Sequence, residues 1–161
     1  MVFNTGVRSL SVFRVMAKMT VKQWAAKAGK DVDEVVIATC IDISRRVVLY
    51  TPVGNPSLWK NNPPAGYSGG QAKGNWIATI NRASGSVSQF KDPKGALTVS
   101  LIEDQALQAP GNVFYLVNNL PYIRRLEYEA WSSQAPAGMI RRVMAEAPAI
   151  VRDVIQVVKR K

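Results

Sequence analysis

Residues 32–50 read as a long helix, and Thr51-Pro52 forbids it to continue. Val32, Val35, Val36, Thr39, Ile43, Val47 and Tyr50 recur at three- and four-residue spacing, which places them on one stripe of an α-helix. A residue before proline is driven towards extended backbone, so the helix stops at this point. The chain then enters a segment, 52–73, with four prolines, four glycines and no hydrophobic period. A loop of that length inside a compact domain is uncommon and tends to carry function or to reach a partner. Trp59 and Tyr67 lie within it and are costly to leave in water, so the same chain or another subunit must cover them.

Before this helix, Thr20-Val-Lys-Gln23 is a capping box, and Asp31-Val-Asp-Glu34 repeats the device just after Gly29. The spacing predicts a short helix over 21–28, a break at Gly29, then the long helix. Arg45 and Arg46 fall near its C-terminal end, where positive charge suits the helix dipole. Residues 1–18 carry Arg8, Arg14 and Lys18 and no acid, a composition shared with transit peptides; a signal peptide would need a longer apolar centre. We read them as an N-terminal arm. Its Val2, Phe3, Leu10, Val12, Phe13 and Val15 call for cover from the same domain or a neighbour.

Downstream, residues 75–81 alternate with Trp76, Ala78 and Ile80 on one face, as in a strand. Residues 96–107 fit a strand through Leu97, Val99 and Leu101, or a helix through Leu97, Leu101 and Ile102. Residues 112–119 are apolar on both faces, which predicts a strand that is central or covered on both sides. A last helix is expected from about 136–139 to Val158, kinked at Pro148. Its stripe is Met139, Ile140, Val143, Ala147, Val151, Val154, Ile155 and Val158. The class implied is α+β: a long N-terminal helix and a C-terminal helix packed on a small, mainly antiparallel sheet, with a long Pro/Gly-rich loop. No internal repeat is present. Residues 19–161 are expected to form one domain behind the arm, since 161 residues suffice to bury one core.

Charge points to partners. The formal net charge is +10, which favours polyanions or an acidic protein neighbour. No uninterrupted basic block or known binding motif accompanies it, so a basic nucleic-acid-binding module stands as the alternative reading. No apolar run approaches a membrane span, and no membrane association is expected.

Chemistry finds little footing. The chain has no histidine, which removes the commonest general base, zinc ligand and triad base. Gly66-Tyr-Ser-Gly-Gly70 matches the form of a nucleophile elbow, but it sits in a proline-rich loop with no strand before it. Gly69-Gly-Gln-Ala-Lys-Gly74 lacks the Gly-Lys-Ser/Thr end of a phosphate loop. Residues 31–34 begin like a calcium loop without its later glycine and glutamate. Cys40 has no disulfide partner and no histidine to activate it, and reads as a small core residue of a protein made in a reducing compartment. No catalytic, cofactor-binding or metal-ligating residues are assigned, and no enzymatic activity is expected.

The densest stretch is 118–142, NNLPYIRRLEYEAWSSQAPAGMIRR. Asn118 and Asn119 can end a strand and bond exposed backbone, and Pro121 stops the ladder. Tyr122, Ile123 and Leu126 can face inward on a short helix while Arg124, Arg125 and Glu127 point outward. Residues 134–138 permit close backbone approach before the last helix. Aromatics and arginines on rigid elements are what buried subunit interfaces favour. The interface candidates are therefore Trp59, Tyr67, Trp76, Tyr122, Arg124, Arg125, Glu127, Trp131, Arg141 and Arg142.

Three blocks in order, TPVGNPSLW (51–59), GYSGGQAKGNW (66–76) and the 118–142 stretch, resemble the tail-completion or neck proteins of tailed bacteriophages. The similarity spans residues 20–158. One departure is Glu129, where the family has glycine after Leu-Glu-Tyr, followed by Trp131. The resemblance implies a structural virion protein at the head–tail junction, similar to tail terminators and assembled in the host cytoplasm. It implies a homo-oligomeric ring, sixfold or a multiple, that completes or terminates the tail tube. Its neighbours would be head-closure or connector proteins and tail-tube proteins, with passing contact to the genomic DNA in the channel. Such proteins carry no catalytic residues or cofactors to transfer.

Overall fold

The computed structural model describes residues 20–58, 62 and 65–160. In chain order it comprises α1 (Val21–Tyr50), a 3-10 turn (Pro56–Leu58), α2 (Gln71–Gly74), β1 (Ile77–Ile80), α3 (Ala96–Ala106), β2 (Phe114–Val117), α4 (Ile123–Tyr128) and α5 (Ile140–Lys159). The class is α+β. The two long helices pack on each other, and α3 lies against both α1 and β1, so the sheet joins the helices chiefly through α3. Tyr50 meets Arg142 and Glu146, and Arg46 meets Glu146, which sets α1 and α5 antiparallel.

Helix α1 runs straight through Gly29, against the expected break. A Cβ at Gly29 would meet nothing within 4 Å, so this is an open helical position. Glycine there costs only about 1 kcal/mol relative to alanine. Asp31 faces Lys27 one turn back, at 3.7 Å, and starts no second helix. The buried face also lies nearer the C-terminal end than expected: Ser44, Val47 and Val48 are buried, whereas Val32 is 61% exposed. Residues 35–43 are half-buried throughout.

The ambiguous segment 96–107 is a helix, and a carboxylate explains the choice. Buried Asp92 accepts the Gly95 N–H at 2.8 Å and both the N–H and the hydroxyl of Thr98, at 2.8 and 3.0 Å. These bonds satisfy donors that the first turn would otherwise leave unpaired. Burial acts to raise the Asp92 pKa, but the hydrogen bonds from Thr98 and Gly95 outweigh it and hold the carboxyl below its ordinary value. Thr98, Ile102 and Ala106 form the buried stripe, leaving Leu97 and Leu101 outside.

The sheet is small and antiparallel, as expected, but its second strand is more open. β1 and β2 pair antiparallel, with Ile77 opposite Val117 and Ile80 opposite Phe114, as a two-stranded ribbon. Every residue of β2 is half-buried, so this strand is neither central nor fully covered. Helix α5 continues through the exposed Pro148 as one element and buries Val143, Ile150 and Val158 behind Met139; Ile140 of the expected stripe is 41% exposed.

One buried chain of hydrogen bonds ties α1 to β1. The Trp76 indole N–H donates to the Thr51 hydroxyl at 2.7 Å, which donates to the Val47 carbonyl at 2.7 Å. The Thr-Pro stop thus also fixes the entry to the sheet. Replacing Thr51 by Val keeps the volume but strands the indole donor, and should cost about 1–3 kcal/mol in urea unfolding with helical content retained.

Candidate functional site

The 118–142 stretch is one continuous structural unit. The Asn118 side-chain amide donates to the Ala72 carbonyl at 2.8 Å, and that of Asn119 donates to the carbonyls of Ser84 and Ser86 at 2.9 and 3.0 Å. Asn118 thus bonds a carbonyl of the short helix α2 and Asn119 bonds irregular backbone at 84 and 86. On α4, Leu126 is buried, Tyr122 and Ile123 pack partly against the core, and Arg124 and Arg125 are exposed.

Glu127 departs from expectation. It is 5% exposed and turned inward, where one carboxylate oxygen accepts the N–H groups of Met139 and Ile140 at 2.7 and 3.0 Å. The other accepts the Arg141 N–H at 2.9 Å. Three donors at the start of α5 converge on one anion, at the positive end of the helix dipole. The Arg141 guanidinium joins the same carboxylate at 3.4 Å and also donates to the Glu127 carbonyl. Gly138, at φ 78°, makes this fit possible: a Cβ there would lie 2.5 Å from the Glu127 carbonyl oxygen.

Between α4 and α5 the chain turns at Ala130, a non-glycine residue at φ 47°. The left-handed position thus falls one residue after Glu129, where the family resemblance had placed glycine. Beyond it Trp131 is 57% exposed, and Tyr128 before it is 64% exposed. Each ring carries a guanidinium: Arg125 lies 5.5 Å from the Trp131 centroid and Arg141 lies 5.2 Å from that of Tyr128. Tyr122 meets Trp131 at 6.4 Å with the rings tilted by 60°. Exposed cation–π pairs contribute about 0.5–1 kcal/mol each, enough to bias rotamers and too little to hold the fold.

A second cluster adjoins the first. Gln134 grips the backbone of Val53, donating to its carbonyl at 2.9 Å and accepting its N–H at 3.2 Å, so the Thr-Pro-Val segment and the Gln-Ala-Pro turn are bound together. Arg142 lies 3.7 Å over the Tyr50 ring. Glu146 accepts the Tyr50 hydroxyl at 3.0 Å and pairs with Arg46 at 3.1 Å and Arg142 at 3.3 Å. Arg46 is therefore held by Asp42 and Glu146, and it lies outside the last turn of α1. Tyr50, residues 134–138 and Arg142 line an open cleft of about 360 Å³.

Of the sequence-derived candidates, Tyr122, Arg125, Trp131, Arg141 and Arg142 gather around α4 and the start of α5, with Arg124 exposed on α4. Trp76 is only 4% exposed and belongs to the core, and Glu127 belongs to the helix cap. Tyr67 is half-buried, its hydroxyl lying over Gly54. Trp59 lies outside the described residues. The structure adds Tyr128, Tyr50 and Gln134, whose partners lie too far along the chain for spacing to find them.

The cluster offers guanidinium donors and aromatic faces, chemistry suited to recognition. Cys40 is half-buried, and burial pushes its thiol pKa up, which leaves it a poor nucleophile at neutral pH. Among the described residues no group of three His, Cys, Asp or Glu could hold a metal, and no helix is long and apolar enough to cross a membrane. No protein-family model, curated protein or solved structure matches the chain.

Glu127→Gln replaces a charged acceptor of converging N–H groups by an amide that presents its own donor, and should cost about 2–3 kcal/mol in urea unfolding. Glu146 carries a pH dependence. Desolvation works to raise its pKa, but hydrogen bonds from Tyr50, Arg142 and Arg46 prevail and hold it below its ordinary value. A depressed folded pKa stabilises above the unfolded value, near 4.5, and that contribution disappears as pH falls through the lower folded one. In thermal unfolding from pH 7 to pH 2, Glu146→Gln should be the less stable protein at neutral pH and converge with wild type in acid.

Proposed function

We propose that the chain is a structural protein of the bacteriophage neck, acting as one copy in a ring that completes or terminates the tail tube and joins it to the head connector. The ordered sequence blocks supply the context. The observation that carries the reading is the pair Tyr128 and Trp131: two large aromatics, each more than half exposed, each backed by a guanidinium, on a turn anchored by Glu127. Side chains already biased towards one rotamer lose less entropy on docking. Aromatic and arginine residues also supply most of the binding energy where proteins meet. A sister copy, or the connector or tail-tube protein, would cover this surface. The role is architectural, with no bond made or broken.

The exposed Arg124 and Arg125, on a chain of net charge +10, favour one other reading, a nucleic-acid-binding module. These two arginines are cleaner probes than Arg141 and Arg142, which are paired with Glu127 and Glu146.

Light scattering of the purified protein should give a multimer, and electron microscopy of virions should place it at the neck. Trp131→Ala should weaken assembly by at least about 2 kcal/mol, roughly thirtyfold, while fold stability falls by only about 1 kcal/mol, the worth of the lost Arg125 and Tyr122 contacts. Arg124→Glu with Arg125→Glu should likewise impair assembly. Steeply salt-dependent duplex binding that this pair abolishes, with assembly intact, would transfer the assignment to the nucleic-acid module.

A further inference from the structure

The outer face of α3 carries a ridge that the fold leaves uncovered. Leu97 and Leu101 are 62% and 63% exposed, and Leu107, one residue past the helix, is 64% exposed. At 100° per residue, Asp104 projects between them on the side opposite the buried Thr98, Ile102 and Ala106. Neither Asp104 nor its neighbour Glu103 forms an ion pair with a described residue, although the chain carries ten more positive than negative charges. The ridge is therefore apolar, with two carboxylates beside its C-terminal half and Lys94 exposed three residues before Leu97.

Residues 1–19, outside the described part, have the complementary composition. They place Leu10, Val12, Phe13 and Val15 among Arg8, Arg14 and Lys18, with no acidic residue. We propose that the α3 ridge is the docking site for this N-terminal arm of a neighbouring copy. The arm's apolar residues would cover the leucines, and its cations would meet Asp104 and Glu103.

Reach selects the neighbour over the same chain. Gly95, at the start of α3, packs against Val48, near the C-terminal end of the 30-residue α1. Thr20 is therefore separated from that end by most of a helix about 45 Å long. Phe13 stands seven residues before Thr20 and can extend at most about 25 Å from it. Leu10, the farthest-reaching of the Leu10–Val15 block, extends at most about 35 Å, so contact between this block and Leu97 needs an arm from elsewhere. The inference deepens the ring reading and rests on it: each copy would reach forward to the next.

The test uses the full chain with Cys40→Ser as background. A chain carrying F13C is mixed with one carrying L97C under mild oxidation, and non-reducing gels and mass spectrometry read the product. A mixed disulfide far exceeding that formed between F13C and a V157C chain, exposed on α5, is the expected result. Absence of that excess overturns the proposal, as does internal closure of a single chain bearing both F13C and L97C. In a second measurement, Leu101→Asp, at an exposed position, should shift the light-scattering mass towards monomer with helical content unchanged. Unaltered mass overturns arm exchange. A wild-type ring without the mixed disulfide removes arm exchange and leaves the neck reading standing. A mixed disulfide from a wild-type chain that stops at dimers keeps arm exchange and removes the ring.

Discussion

A single buried carboxylate sets the geometry on which the candidate surface depends. Glu127 gathers three N–H groups from the start of α5 and a guanidinium from Arg141, so the end of one helix becomes the cap of the next. The strength of the arrangement lies in its alternative. Without the anion, the buried Met139 N–H and two half-buried N–H groups would lose their acceptor, and a stranded buried donor costs more than an ordinary hydrogen bond gains. Because α4 and α5 cannot separate cheaply, the turn between them holds Tyr128 and Trp131 in defined positions beside their arginines.

The same use of acid recurs. Asp92 starts α3, and Glu146 gathers Tyr50, Arg46 and Arg142 where α1 crosses α5. A chain with 11 acidic and 21 basic residues thus commits several of its carboxylates to internal bonding. Arg124, Arg125 and Arg45, all exposed, have no described carboxylate beside them. With Asp92 and Glu127 buried, fewer acids remain at the surface to offset these arginines. That is why the leucine-flanked face of α3, with its two carboxylates, stands apart from the rest.

Much of the fold was legible because it rests on local rules. Thr51-Pro52 ended α1, the alternation around Trp76 marked β1, and the stripe from Met139 to Val158 marked α5; each reports a preference of backbone or period within a few residues. The errors have equally definite causes. The second capping box was overridden because Gly29 sits in an open helical position whose small cost the flanking turns absorb. Residues 112–119 looked doubly buried because apolar composition cannot tell a central strand from an edge of a two-stranded ribbon.

In the candidate site the division is sharper. Sequence was enough to single out 118–142 by its density of arginine and aromatic residues, and to mark 134–138 as a place of close approach. It could not say which members face inward, since a short helix carries too few turns to establish a period. Glu127 looked like a solvated acid because its partners are backbone amides twelve to fourteen residues away, and an amide leaves no trace in composition. Trp76 looked like an interface residue because its hydrogen-bond acceptor, Thr51, lies 25 residues back. Local geometry is written in neighbouring side chains, whereas the choice between core, cap and surface depends on contacts that exist only once distant segments have packed.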